Sequence, residues 1–208
     1  MNRAETSCTN GGIHTWVQGY NAQAVVTPRQ IILAADVTSE ANDVNQLTVM
    51  LDQAQVNVEA VTGESAVLGA AVADAGYWSQ ANAARESEEC ELFIAIRKDR
   101  DQRAALRDAP SPRGRIPETM TPRERMERKL RTKRGQAIYR QRGAAVEPVF
   151  GQMKDRQGAD RFSMRGLERC RGEWQLDAAV HNLRKLHRES AKNTKNYGEI
   201  EENRPIIA

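Results

Sequence analysis

Basic side chains are nearly missing from the first half of this chain. Of 31 lysines and arginines in 208 residues, only three arginines and no lysine fall within positions 1–96. Long apolar runs are missing too: no stretch approaches the roughly 18 residues that cross a bilayer. The amino terminus has no basic-then-apolar leader pattern. An intracellular protein without a membrane partner is expected. Cysteine is sparse. Cys8, Cys90 and Cys170 are odd in number and form no CxxC pair, which argues against a disulfide framework or a structural zinc site and for incidental or buried thiols. No internal repeat is found. Aspartate is absent from residues 1–18, where Glu5 is the only acid.

What is present is strongly polarised. Residues 1–96 carry 3 basic and 12 acidic side chains, residues 97–172 carry 22 and 10, and residues 173–208 carry 6 of each, so a formal charge of only +3 hides an acidic half beside a basic one. Such asymmetry suits an acid-lined site next to a surface that attracts phosphate. It is also compatible with a solvated helical face. Arginine dominates the basic block, and its planar fork suits bidentate phosphate contacts. The length allows one substantial domain, with or without a helical appendage.

The pattern along the chain is mixed α/β. Segments 16–27 and 30–37 read as a β-hairpin turning at Thr27-Pro28-Arg29. Val44, Leu47, Leu51 and Ala54 recur at helical spacing, with Asn42 as N-cap. The apolar run 66–73 ends at Asp74 and reads as a buried strand, 79–87 as a short helix and 91–97 as another buried strand. Residues 98–120 gather prolines and arginines and read as a loop. Thr121-Pro122 opens a helix towards Gly135, a second helical stretch covers 136–142, and another opens at Glu147-Pro148, where a first-turn proline loses no hydrogen bond. Glu173–Ser190 is the last clear helix, followed by a polar tail.

Asp74 at a strand end and Glu147 at a helix start are the candidate chemistry. Two carboxylates can share divalent ions, and paired ions stabilise both oxygens of an in-line phosphoryl displacement. Strand ends project side chains into a crevice at the sheet edge, although an isolated strand-end aspartate reads equally as a cap. Glu147, Gly151, Lys154 and Gly158 fall on one stripe at 100° per residue, presenting a carboxylate and a lysine together. His181, Trp78 and Trp174 read as packed or anchoring residues, and His14 as exposed.

Six segments carry a resemblance beyond spacing: Gly19-Tyr20-Asn21-Ala22-Gln23, Ala73-Asp74-Ala75-Gly76-Tyr77, Arg97-Lys98-Asp99-Arg100, Val146 to Lys154 (Val-Glu-Pro-Val-Phe-Gly-Gln-Met-Lys), Arg165-Gly166-Leu167 and His181-Asn182-Leu183. In these the chain, from about residue 17 to 186, resembles the carboxy-terminal catalytic part of the DDE transposases of bacterial insertion sequences. The resemblance implies a ribonuclease-H-like mixed sheet flanked by helices over 17–190. It would carry a basic helical insertion near 98–140, an atypical terminus at 1–16 and a flexible tail at 191–208. It further implies Asp74 and Glu147 as second and third catalytic acids binding Mg²⁺ or Mn²⁺. A signature Tyr-x2-Arg-x3-Glu-x6-Lys is approximated by Tyr139, Arg142, Glu147 and Lys154, with one extra residue between Arg142 and Glu147. With Arg97 and Lys98, the basic members are expected to grip DNA.

The family's first catalytic aspartate lies upstream of the Gly-Tyr-Asn-Ala-Gln segment, where this sequence offers none. The expectation is therefore a chain lacking its opening strand, a truncated and impaired transposase acting on double-stranded DNA at transposon ends and target, as a homo-oligomer in the bacterial cytoplasm near the nucleoid. One alternative is a non-catalytic DNA-binding remnant. Another is a host nuclease in which Asp36 or Asp43 reaches Asp74 and Glu147.

Overall fold

The computed structural model describes the backbone of residues 5–10, 13–65, 67–108, 110–117 and 119–202, and side chains between 19 and 191 apart from 66, 99, 109 and 118. Six strands and six helices are assigned there: β1 (Glu5–Asn10), β2 (Ile13–Gln18), β3 (Asn21–Val26), β4 (Ile32–Thr38), α1 (Gln46–Thr62), β5 (Gly69–Ala73), α2 (Gln80–Ala83), β6 (Cys90–Ile94), α3 (Asp99–Asp108), α4 (Pro122–Arg131), α5 (Lys133–Gln157) and α6 (Leu167–Glu202). The strands pair in twos. β1–β2 and β3–β4 are antiparallel and β5–β6 is parallel, so the mixed α/β class holds while the strands form three two-stranded sheets among the described residues. β1 and β2 pair with each other over Glu5–Asn10 and Ile13–Gln18, and the His14 expectation lies outside the described side chains. Among the described residues no helix is long and apolar enough to cross a membrane.

β4 is the strand on which the packing turns. Its Ile32, Ala35 and Val37 pack with Val149 and Met153 of α5 and with Cys170, Trp174 and Ala178 of α6, while Ala34 packs with Met50 and Ala54 of α1. Alanines at 34 and 35 let helices approach both sides closely. The run Leu92 to Ile96 is fully covered by α1, α3, α4 and α5, which is why it reads as continuously apolar rather than alternating. Trp174 has the anchoring role expected of it: its ring centroid lies 5.6 Å from that of Phe150 and its Nε1 donates to the Gln23 carbonyl at 2.9 Å.

Two segments depart from the sequence reading. Residues 99–108 form α3 instead of a loop. Among its described side chains only Gln102 and Leu106 are buried; the Gln102 Oε1 accepts from the Ile96 N–H at 3.2 Å, and although polar and apolar residues do segregate at helical spacing, the heavy charge and the prolines that follow make the segment read as a loop. Residues 133–157 form one continuous α5 that does not restart at Pro148. An internal proline leaves the carbonyl four residues earlier without its donor. Here that carbonyl, of Ala144, accepts from the side-chain amide of Gln30 at 3.1 Å.

Gln30 sits at the β3–β4 turn with φ 65°, an uncommon left-handed conformation for a residue other than glycine. Its carbonyl bonds the buried His181 Nε2 at 2.9 Å, and its side-chain oxygen accepts from Lys185. Beside it, Asn182 uses both ends of its amide on the backbone of Ile32, each at 2.8 Å. The side chain thus behaves as one rung of an extra strand, and α6 is latched to the hairpin.

Helix starts follow local chemistry. Thr121 caps α4 in a capping box with Glu124, behind Pro122. Asn42 does not cap α1, which begins at Gln46 behind Asn45. The Asp43 carbonyl takes the Gln46 N–H at 2.9 Å, and its carboxylate is committed elsewhere.

The α4–α5 junction supplies a sharp test. A Cβ at Gly135 would lie 2.2 Å from the Lys129 carbonyl oxygen and 3.0 Å from Leu130 backbone atoms, none of which is a flexible side-chain end. Gly135→Ala is expected to destabilise the protein by about 1–3 kcal/mol, the range for overpacking, read as a lower urea midpoint at unchanged slope. An unchanged midpoint would show that the helices are not this close.

Candidate active site at the Asp43–Asp74 carboxylate pair

Side chains at 21 and 23 alternate with Ala22 on β3 and so point to one face. Both reach the loop before α1: the Asn21 amide donates to Asp43 Oδ1 at 2.6 Å and the Gln23 amide to the same oxygen at 2.8 Å. Gln23 also donates to Asn21 Oδ1 at 2.8 Å and accepts from the Tyr77 hydroxyl. One carboxylate oxygen of Asp43 is thus saturated by amides, and the other, Oδ2, is turned towards Gly76.

Asp74 follows β5 and caps a 3-10 turn, Ala75–Tyr77, its Oδ1 accepting from the Gly76 N–H at 2.9 Å. A Cβ placed on Gly76 would lie 2.8 Å from Asp43 Oδ2 and 3.1 Å from Asp74 Oδ1. Both carboxylates therefore converge on the space that glycine leaves empty. Arg142 of α5 lies 3.7 Å from Asp74 Oδ2. The pair faces a cavity of about 550 Å³ between β3, β5, α1 and α5, with Arg142 in its wall.

Tyr77 reports the charge of this corner. Burial raises its pKa far above the ordinary tyrosine value, the negative charges of Asp43 and Asp74 add to the rise, and Arg142 opposes it. The hydroxyl stays protonated and works as a donor to Gln23.

Glu147 is not in this pair. It lies on the exposed side of α5, 3.1 Å from Arg103 of α3, in a second cavity of about 480 Å³ whose wall also includes Arg142. Arg142 thus stands between the aspartates and the glutamate. Tyr139 is buried in the core below, its ring 5.8 Å from the Arg142 guanidinium carbon. Lys154 is exposed further along α5, and Arg97 and Lys98 are exposed beyond β6, with Arg97 paired to Glu127 at 2.6 Å. Asp36 is bound by Arg171 and borders neither cavity.

Asn21, Gln23, Gly76 and Tyr77 stand in the motifs that carry the family resemblance, yet their residue types alone assign them no role. The alternation of 21 and 23 on a strand is the signal that could have singled them out. Asp43 enters the sequence reading only as a distant alternative, because its approach to Asp74 across Gly76 depends on the chain path through α1.

Among the described residues no group of three or more His, Cys, Asp or Glu side chains is placed to hold a metal ion. The Asp43–Asp74 pair still fits a hard cation in donor type, since Mg²⁺ commonly takes one or two carboxylates and completes its shell with water and phosphate oxygens.

Residues 111–187 match the family model of the transposase DDE domain. No curated protein and no solved structure matches the chain. The family match supports a DDE transposase, as the motif resemblance implies. It spans α4, α5 and the first part of α6, including Glu147, and leaves Asp43 and Asp74 outside.

In an alkaline titration followed by tyrosinate absorbance, Tyr77 is expected to ionise far above the ordinary tyrosine pKa. Because its folded pKa is raised, the stability it contributes is present below the ordinary tyrosine pKa and is lost as pH rises through the folded value. Loss of one late-ionising group in Tyr77→Phe checks the assignment; an unchanged late absorbance change contradicts it.

Proposed function

We propose that the protein is a DNA transposase of the DDE class, of insertion-sequence origin, that processes phosphodiester bonds with a divalent cation such as Mg²⁺ or Mn²⁺. The observation carrying this reading is the convergence of Asp43 and Asp74 around side-chain-free Gly76, within a chain whose residues 111–187 match the transposase DDE domain. When bound, the cation supplies Lewis-acid stabilisation of a phosphoryl oxygen and lowers the pKa of water.

The residues of the chain do the rest. Asn21 and Gln23 hold Asp43 with its other oxygen towards Asp74, so the pair is preorganised and does not reorder on binding. Protonated Tyr77 locks the orientation of Gln23. Arg142, between the aspartates and Glu147, is positioned to meet the negative charge of a phosphate that enters either cavity. Glu147 joins the site once Arg103 is drawn from it by phosphate, and Lys154, Arg97 and Lys98 add positive charge along the duplex.

β3 and β5 both line the larger cavity while pairing only with β4 and β6. One further extended segment between them would unite β4, β3, β5 and β6 in a single ribonuclease-H-like mixed sheet. A second reading, a DNA-binding remnant without catalysis, is favoured by the Glu147–Arg103 pair, which leaves the glutamate apart from the aspartates.

Nicking of supercoiled plasmid in Mg²⁺ or Mn²⁺ distinguishes the two. Transposase activity is expected to fall at least about 100-fold in Asp43→Ala, Asp74→Ala and Glu147→Ala alike, since each loses a group acting in the transition state. Wild-type binding of DNA without nicking would establish the remnant instead. Nicking that survives Asp74→Ala would exclude this site.

A further inference from the structure

Away from the carboxylates, the facing sides of α5 and α6 enclose a cavity of about 170 Å³ lined by Gln152, Arg156, Arg184, Lys185 and Arg188, with buried His181 at its base. Four cationic side chains meet there. Among the described residues no carboxylate pairs with Arg156, Arg184 or Arg188.

The cavity is also built on fixed supports. His181 is held by the Gln30 carbonyl, and Lys185 is tethered to the Gln30 side chain. The Gln157 amide bridges the helices, donating to the Asp177 carbonyl at 3.1 Å and accepting from the His181 N–H at 3.2 Å. These bonds fix the floor of the cavity, and the like charges of Arg156, Arg184, Lys185 and Arg188 that line it set up a mutual repulsion. An anion relieves it.

We propose that this cavity is a second phosphate-holding site, one that seats a backbone phosphodiester of the duplex DNA processed at the carboxylates, an inference that rests on the DNA-processing reading of the protein. Guanidinium forks match phosphate oxygens bidentately, and such contacts fix register on the duplex without reading its sequence. Arg156 and Glu147 stand on the same helix, about 14 Å apart along its axis at 1.5 Å per residue. At 100° per residue they point to opposite sides of α5, so a duplex gripped at both passes around the flank of the helix and the held phosphate lies on DNA flanking the reacting stretch.

The test is binding of duplex DNA of unrelated sequences by fluorescence anisotropy at several salt concentrations, comparing wild type with Arg156→Gln/Arg184→Gln/Arg188→Gln. These three side chains are exposed, and a thermal melt verifies that the variant stays folded; Arg188→Gln alone repeats the test if it does not. The expected result is weaker binding to every sequence and a salt slope shallower by about 0.9 for each phosphate no longer gripped. Wild-type affinity and slope in the triple variant would overturn this site while leaving the DNA-processing reading intact. Failure of the wild-type protein to bind duplex DNA at all would overturn both. Binding of inorganic phosphate by the wild type and not by the variant, with no difference between them on DNA, would make the cavity a free-phosphate site and also overturn the proposal.

Discussion

The structure depends on how one interrupted hydrogen bond is repaired. Pro148 stands inside α5 and deprives the Ala144 carbonyl of its helical donor, and the amide of Gln30 takes the vacant place. An internal proline ordinarily kinks or breaks a helix, at a cost of about 3 kcal/mol or more. With Gln30 in place α5 runs unbroken, carrying Arg142 towards Asp74 on one side and Glu147 towards Arg103 on the other. The same residue holds His181 and Lys185 of α6. A single turn residue thus ties the hairpin, the helix bearing Glu147 and the helix bearing the cationic cavity.

From that tie the motifs that carry the resemblance gain separate physical meanings. The Asn-Ala-Gln segment on β3 sends two amides to Asp43. Asp-Ala-Gly-Tyr after β5 supplies a carboxylate, a space without a side chain and a buried donor. His-Asn on α6 latches the hairpin through Gln30 and Ile32. Val149 and Phe150, beside Glu147, fix the face of α5 against Trp174. Electrostatics follow the same division: the acidic half brings the aspartates, and the arginine-rich helices bring Arg142, Arg103 and Arg156.

Much of this is legible in the sequence where residues act locally. The β3–β4 hairpin, the buried strand after Glu89, and the Thr121-Pro122 helix start each rest on short-range patterning, and each is found; the strand before Asp74 is found too, but shortened to Gly69–Ala73 and buried only at Ala73 instead of over the whole apolar run, because it pairs on one side alone among the described residues. α3 escapes such a reading because its heavy charge and the prolines that follow outweigh its helical spacing. The continuity of α5 escapes it because the donor that permits Pro148 lies more than a hundred residues away. Asp43 is underrated for a related reason: its value lies in Asn21, Gln23 and Gly76, which meet it only in three dimensions. The separation of Glu147 from the aspartates by Arg142 has no sequence signal, since it depends on ion pairs between helices.

Asp43, held by the amides of β3, and Asp74 form the pair proposed to bind the cation. Their role is tested most directly by titrating the protein with Mn²⁺ under electron paramagnetic resonance, comparing wild type with Asp43→Asn, which keeps the shape and removes the charge. Saturable Mn²⁺ binding is predicted for the wild-type protein, with affinity weaker by at least about tenfold in the variant, since a ligand is lost and not only its support. Equal affinity in the two proteins would contradict a cation held by this pair.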